Sequence, residues 1–325
     1  MRAILLGILS AFFFTFTFVL NRAMDLSGGS WIWSASLRYL FMVPFLLAIV
    51  AVRGNLRELF VMMKGNPGAW LGWSFVGFGL FYGPLCFAAA YGPGWLIAGT
   101  WQITIVAGSL LVPFFYEEIR TAEGTRRARQ RMPVKGLLMS LIILVGVGLM
   151  QMEEAGSLSP GAALYGIVPV VVAAFAYPLG NRKMIAIAQG RLDAYQRLLG
   201  MTLASLPCWL LLAAYGLVTE GLPSAGQAAQ SLVVALSSGV IATALFFKAT
   251  DMTEGHAQKL AAVEATQSAE VVFAVLLEAV WLSAPLPSIQ SLVGILLVMA
   301  GMILHSYFSH SRAGKKPINP SASVP

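Results

Sequence analysis

Residues 259–278 read KLAAVEATQSAEVVFAVLLE, a stretch that is apolar and long enough to cross a bilayer yet carries three glutamates. On a helical wheel with about 100° per residue, counted from Glu264, Gln267 lies at about 300°. Glu270 follows at about 240° and Glu278 at about 320°, so the four side chains share an arc of roughly 120°. Because a lone charge at the centre of a membrane costs at least ~2.5–3.5 kcal/mol, this face predicts a protein interior or a water-filled cavity around Glu270.

The composition is that of an integral membrane protein. Of the 325 residues, 58% are hydrophobic and 11% are charged, whereas a soluble domain has about 25% charged residues. A pI of 9.6 is also found in nucleic-acid-binding proteins, but here the basic residues lie in short segments between apolar runs, where they act as topology signals. Cys86 and Cys208 each lie inside an apolar run, so neither a disulfide framework nor a thiolate metal site is expected.

Ten apolar runs are long enough to form membrane helices. The first exceeds the length of a signal-peptide core and has no Ala-x-Ala site after it, so we expect a retained helix. The predicted fold is therefore an all-α integral membrane protein of the cell (inner or plasma) membrane with ten transmembrane helices. The runs span residues 3–22, 31–52, 68–91, 95–116, 135–151, 161–180, 194–216, 230–250, 260–282 and 286–307.

The distribution of charge predicts the orientation. With the N-terminus inside, the inner segments carry most of the 21 Lys and Arg residues, and the outer segments hold few of them. This asymmetry favours an N-in, C-in topology. The last segment, 309–325, is rich in Pro, Ser and Lys, and we expect a disordered cytoplasmic tail.

Weak internal similarity divides the chain into two halves. Asn21-Arg22 closes the first predicted helix and Asn181-Arg182 closes the sixth, while residues 96–102 align without a gap with 261–267. Each half holds five helices, and an odd number places the two copies in opposite orientations.

We therefore predict a first five-helix repeat at 1–155 and a second, inverted repeat at 156–308. Inverted repeats are typical of alternating-access transporters, whose binding site lies near the midplane. This arrangement, with its Asn-Arg pairs and its third and eighth helices rich in small residues, resembles the drug/metabolite transporter superfamily. Within it, the chain is most similar to the ten-helix branch of multidrug resistance efflux transporters.

The resemblance covers residues 1–308 and implies a secondary transporter, commonly an exporter that exchanges protons for a small metabolite or organic cation. In the small four-helix relatives, the key glutamate lies in the first helix. This chain has an aromatic-rich run at 12–18 there and no acid.

Glu270 and Glu264 are the candidate proton-binding residues. A carboxyl group in a low dielectric favours its neutral form, so it can hold a proton and release it when a cation or water arrives. When the two halves are aligned, the glutamine is the only one of these polar residues that both halves contain, as Gln102 and Gln267. This predicts one asymmetric acidic site, with the two glutamines facing each other. Alternatively, the carboxylates pair with Lys248 or an arginine to hold helices together. Glu278 is closer to the outer end of the span, where we expect it to reach water.

Basic and aromatic residues are further candidates. Lys248 either extends to the headgroups or serves as a counter-ion to Glu264 or a ligand for a substrate carboxylate. Arg38 is always charged and acts either as an anchor or as an anion ligand. The aromatic candidates, which either bind a flat or cationic substrate or pack against helices and lipid, are Tyr82, Tyr91, Trp101, Phe175 and Tyr177.

The leading hypothesis is a proton-coupled exporter of a small cationic or amphipathic molecule, with a cavity between the third, fourth, eighth and ninth helices. An alternative is an exporter or facilitator of a zwitterionic or anionic metabolite, such as an amino acid, bound by Arg38, Arg197 or Lys248. A remote alternative is an intramembrane lipid-modifying enzyme. The chain has no Gly-rich Lys-Ser/Thr loop and no His-Glu-x-x-His motif, so we expect no cofactor, metal or ATP. The expected partners are substrate, protons and lipid but no nucleic acid, and the expected assembly is a monomer or homodimer.

Overall fold

The computed structural model describes residues 1–121, 124–129, 132, 134–157, 160–252 and 263–310. Within these residues, nine helices are long and apolar enough to cross a membrane. They are α1 (Arg2–Leu26), α2 (Trp31–Val52), α3 (Pro67–Ala88), α4 (Gly94–Phe114), α5 (Val134–Ser157), α6 (Pro160–Ala188), α7 (Ala194–Thr219), α8 (Ala225–Thr250) and α10 (Ile289–His310).

The ninth predicted span is described only from Val263 onward. It forms a 3-10 turn at Thr266–Ser268 followed by an α-helix at Ala269–Trp281, and we call this unit α9. The predicted all-α membrane class is confirmed. Large apolar side chains cover the outer surface, as in Leu211 at 73% exposure and Val280 at 83%, where a bilayer would replace water.

The predicted ends of the first and sixth helices are wrong. Asn21-Arg22 and Asn181-Arg182 lie inside α1 and α6, which continue to Leu26 and Ala188. The helices continue because each arginine turns towards a neighbouring helix instead of interrupting its own. Arg182 donates to the carbonyl oxygen of Gly108 in α4 at 2.7 Å.

Two connecting elements were not predicted. A short helix at Leu56–Gly65 lies between α2 and α3, and it buries Leu59. An antiparallel hairpin of β1 (Tyr116–Thr121) and β2 (Gly124–Arg129) follows α4, with Tyr116 opposite Arg129. Its charged sequence lacks the apolar alternation that marks a strand, so hydropathy indicated only a loop.

Four membrane helices are irregular. A π-helix occupies Phe75–Gly79 in α3, and another occupies Ala235–Ala242 in α8. In α4 the α-helix is interrupted at Gln102, and in α9 the 3-10 turn Thr266–Ser268 interrupts it. Such interruptions are frequent at functional sites because they loosen the regular backbone hydrogen bonding.

The packing of the helices is paired. α1 packs against the π-helix of α8, and α6 packs against the π-helix of α3. α2 packs on α7, and α5 packs on α10.

The orientation, the inverted repeat at 1–155 and 156–308, and the disorder of the tail stay predictions. Most of that tail, 311–325, lies outside the described residues.

α5 and α10 cross where two glycines meet. A Cβ atom on Gly146 would lie 2.6 Å from the carbonyl oxygen of Gly294, and one on Gly294 would lie 2.7 Å from that of Gly146. No side chain fits between the two backbones, which is how small residues allow membrane helices to approach closely. Gly148, on the same helix, has open space around it.

We expect Gly146→Ala to lower the free energy of unfolding by about 1–3 kcal/mol, because the added methyl group would push the two backbones apart. Thermal unfolding in detergent measures the effect. Gly148→Ala is the matched control and should unfold at or above the wild-type temperature, since alanine favours a helix over glycine. Equal unfolding temperatures for the two variants would contradict the close crossing.

Candidate functional site

Glu270 is buried where α4 and α9 meet. Its side chain is 5% exposed and lies in the first turn after the 3-10 turn of α9. The side-chain amide of Gln102, at the interruption of α4, lies near the Glu270 carboxyl group, while its Nε2 donates to the carbonyl oxygen of Ala98 at 3.2 Å. None of the ion pairs formed by described residues includes Glu270. The structure therefore brings two predicted site residues together around a carboxyl group that is not paired with a cation.

A cluster of aromatic rings adjoins Gln102. The ring of Trp101 lies 5.0 Å from Phe81 and 5.6 Å from Tyr177, and Phe81 lies 4.8 Å from Tyr177, all between ring centroids. Trp101 and Tyr177 were predicted as cavity-wall residues. Phe81 was not predicted, because nothing in the sequence distinguishes it from the other 18 phenylalanines.

Tyr177 lies among charged groups from three helices. It interacts electrostatically with Arg38 of α2, Arg197 of α7 and Glu270 of α9, and the residue is 37% exposed. A molecule that contacts this ring would lie near both the buried guanidinium and the buried carboxyl group.

Arg38 lies on the α2 side of this region and is 7% exposed. Its guanidinium carbon is 4.1 Å from the centroid of the Tyr82 ring, a cation–π distance. The Tyr82 hydroxyl accepts a hydrogen bond from Asn21 Nδ2 at 3.2 Å. On the other side, Tyr39 lies 5.7 Å from the guanidinium carbon and stacks on Trp209 at 4.5 Å. Tyr82 is thus placed at the site, where it positions Arg38.

The prediction that Gln102 and Gln267 face each other is wrong. Gln267 turns to α1 and donates to the carbonyl oxygen of Gly7 at 3.2 Å. The amide of Gln102 donates to the carbonyl oxygen of Ala98 in its own helix at 3.2 Å, so the two glutamines bond to different parts of the bundle. A helical wheel of one segment does not reveal that α1 packs beside α9 and offers an acceptor to Gln267.

Three other candidates lie on α8, on α9 and beside the loop between α3 and α4. Glu264 is half-buried, in the helical residues before the 3-10 turn, and Lys248 is exposed near the end of α8. Tyr91 belongs to a separate ring cluster near the loop between α3 and α4, 5.0 Å from Phe87 and 5.3 Å from Tyr165. Among the described contacts, neither Lys248 nor Tyr91 meets Glu270.

Glu278 caps a helix and does not reach water as predicted. Its side chain is 1% exposed, and its two oxygens accept hydrogen bonds from the backbone N–H groups of Gly94 at 2.7 Å and Trp95 at 3.3 Å. These N–H groups begin α4 and have no partners within their own helix. The carboxylate also lies near the positive end of the helix dipole. Glu278 therefore fastens α9 to α4.

An apolar cavity of about 1000 Å³ lies between α3, α6 and α7. Phe75, Pro169 and Pro207 contribute to its wall. Trp209 lines it as well, and this ring stacks on Tyr39, the neighbour of Arg38. The cavity thus reaches from the lipid-facing side of the bundle to the aromatic packing that holds Arg38.

One family model matches almost the whole chain. The family model EmrE, described as "Putative multidrug resistance efflux transporter", matches residues 1–311. "Uncharacterized protein YjlA" of Bacillus subtilis (strain 168) is 58% identical over 316 residues, which are 97% of this chain and 98% of that protein.

A second relative and a solved structure are also similar to the chain, and neither has a stated function. An "Uncharacterized 42.1 kDa protein in intracellular alkaline protease 3'region" of Shouchella clausii is 53% identical over 270 residues, 83% of this chain and 70% of that one. A crystal structure of a protein with no stated function has a TM-score of 0.62 at 13% identity. It covers 93% of this chain and 95% of its own, and it shares the fold.

Glu278→Leu should lower the thermal unfolding temperature in detergent, because it removes both acceptors from the start of α4. A lost helix cap costs about 0.5–2 kcal/mol. Glu278→Gln should have a smaller effect, since its amide oxygen can still accept from one of the two N–H groups. An unchanged unfolding temperature in Glu278→Leu would show that the cap does not stabilise the protein.

Proposed function

Since the chain belongs to the EmrE family of multidrug resistance efflux transporters, we propose that it exports a small organic molecule in exchange for protons. The family consists of transporters and not of enzymes, and the protein is a multi-pass protein of the cell membrane. In the proposed mechanism Glu270 carries the proton. The observation that supports this role is a carboxyl group buried beside Gln102, without a cationic partner in the described chain.

Proton exchange at Glu270 follows from its surroundings. A carboxyl group that is buried without a cation is most stable when it holds a proton. A positively charged substrate that enters the cavity stabilises the carboxylate instead, so the proton leaves. Substrate and proton then occupy the site in turn, which is the requirement for exchange.

The proposed mechanism uses two inverted halves, 1–155 and 156–308. Two features support this division. The π-helices of α3 and α8 occupy matching places in the two halves, and so do the interruptions of α4 and α9. The packing of α1 on α8 also matches that of α6 on α3. One chain holds both halves, so a monomer is sufficient for transport.

The contacts made by the two Asn-Arg pairs differ in a way that supports alternating access. Asn21 joins α1 to α3 through its hydrogen bond to Tyr82. Asn181, its counterpart, donates to the carbonyl oxygen of Tyr177 in its own helix at 2.9 Å. A rocking mechanism predicts contacts that differ between the two halves, because one side of the site is closed while the other is open.

We expect aromatic ammonium compounds such as phenethylamine to displace about one proton per bound molecule from detergent-purified protein in weakly buffered solution. Glu270→Gln should abolish the release, because an amide has no proton to give up at neutral pH. Glu58→Gln is the control, since this carboxylate lies outside the membrane helices beside Arg191. Proton release that persists in Glu270→Gln would exclude Glu270 as the carrier.

Trp101→Ala should weaken binding of the same compounds several-fold, since a cation over an aromatic ring contributes about 0.5–2 kcal/mol. Tyr91→Ala is the comparison variant and should bind as the wild type does, because Tyr91 stacks in the separate cluster with Phe87 and Tyr165. Isothermal titration calorimetry distinguishes the two. Equal losses in both variants would argue against a substrate wall at Trp101.

A further inference from the structure

Arg38 combines burial with unsatisfied hydrogen-bond donors. Its side chain is 7% exposed, and its Nε and Nη1 atoms have no acceptor among the described residues. None of the ion pairs in the described part of the chain involves it. The guanidinium carbon lies 4.1 Å from the centroid of the Tyr82 ring and 5.7 Å from that of Tyr39.

These contacts leave the Arg38 guanidinium without an anionic partner and with two nitrogens that have no acceptor among the described residues. An arginine cannot lose its charge inside a protein, so a buried guanidinium needs an anion or a full set of acceptors. The aromatic rings stabilise the positive charge, but they do not provide acceptors for the two free nitrogens. Buried donors without partners are rare in folded proteins and call for an explanation. A bound oxyanion would supply both the missing charge and the missing acceptors.

The opposite kind of group lies near the same tyrosine. Tyr177 interacts electrostatically with both Arg38 and Glu270 and is partly exposed, so a small molecule that contacts its ring approaches both. Phe81 and Trp101 adjoin Tyr177 and provide an apolar wall. The surroundings of Tyr177 therefore offer an anion-binding group, a carboxyl group and an aromatic surface to one molecule.

We propose that Arg38 is the anion-binding residue of the substrate site and that the exported molecule is a zwitterion. Its carboxylate binds the Nε–H and Nη1–H groups of Arg38, and its ammonium group takes the place of the proton on Glu270. Its apolar part lies against Tyr177. The inference rests on the proposed export function and specifies the class of its substrate.

The test compares neutral amino acids with their amides, which keep the ammonium group but lack the carboxylate. Calorimetry on the detergent-purified full chain measures the affinities, and phenethylamine serves as the plain amine. At least one amino acid should bind about 10- to 100-fold more tightly than its amide, the effect of hydrogen bonds to a charged group. Arg38→Gln should abolish this preference, and Arg38→Lys should keep part of it.

Two controls separate a binding role from a structural one. Arg53→Gln, at a half-exposed arginine in the loop after α2, should keep the preference for the carboxylate. Arg38→Gln should unfold at or above the wild-type temperature, because it removes a buried charge that has no anionic partner. A lower unfolding temperature with equal losses for amino acids, amides and phenethylamine would make Arg38 a structural residue and overturn the proposal.

The outcomes also separate this proposal from the proposed function. An amine that releases a proton, in a wild-type protein where no amino acid binds better than its amide, would contradict the anion site and leave proton exchange intact. An amino acid whose tight binding needs Arg38 but releases no proton would support the anion site and contradict proton exchange at Glu270.

Discussion

A charged side chain inside a membrane needs partners from the protein, because the hydrocarbon offers none. Two charges of this bundle obtain them from the backbone of a neighbouring helix. Glu278 accepts from the first N–H groups of α4, and Arg182 donates to Gly108 of the same helix. These contacts join helices and stabilise the charges. Glu270 and Arg38 are in none of the described ion pairs, and both lie near the partly exposed Tyr177.

Much of the fold could be predicted because the thickness of a bilayer sets the length of an apolar run. Each predicted span falls on one described helix, although several helices extend beyond it. The largest difference occurs where a polar pair hides a continuing helix. Asn181-Arg182 reads as a helix end, but the arginine bonds to another helix and α6 continues to Ala188. The hairpin after α4 carries no hydropathy signal, so sequence reasoning could not find it.

The candidate site was predicted less completely. Position along a helix was enough to single out Glu270, because a central charge in an apolar span is rare. The alignment of the halves pointed to Gln102. The contact of Gln267 with Gly7 was missed, because a helical wheel does not show which neighbouring helix supplies the acceptor. The roles of Phe81 and Asn21 depend on how α3 packs against α1 and α6, which periodicity within one helix does not reveal.

The unpaired guanidinium of Arg38 affects how the transporter is powered. If its substrate is a zwitterion, the molecule that leaves has no net charge, while one proton enters on Glu270. Each cycle then moves one positive charge inward, and the membrane potential adds about 2.3 kcal/mol per 100 mV to the driving force. Exchange of a monovalent cation for one proton would instead be electrically silent. The residue that selects the substrate thereby also determines whether voltage drives its export.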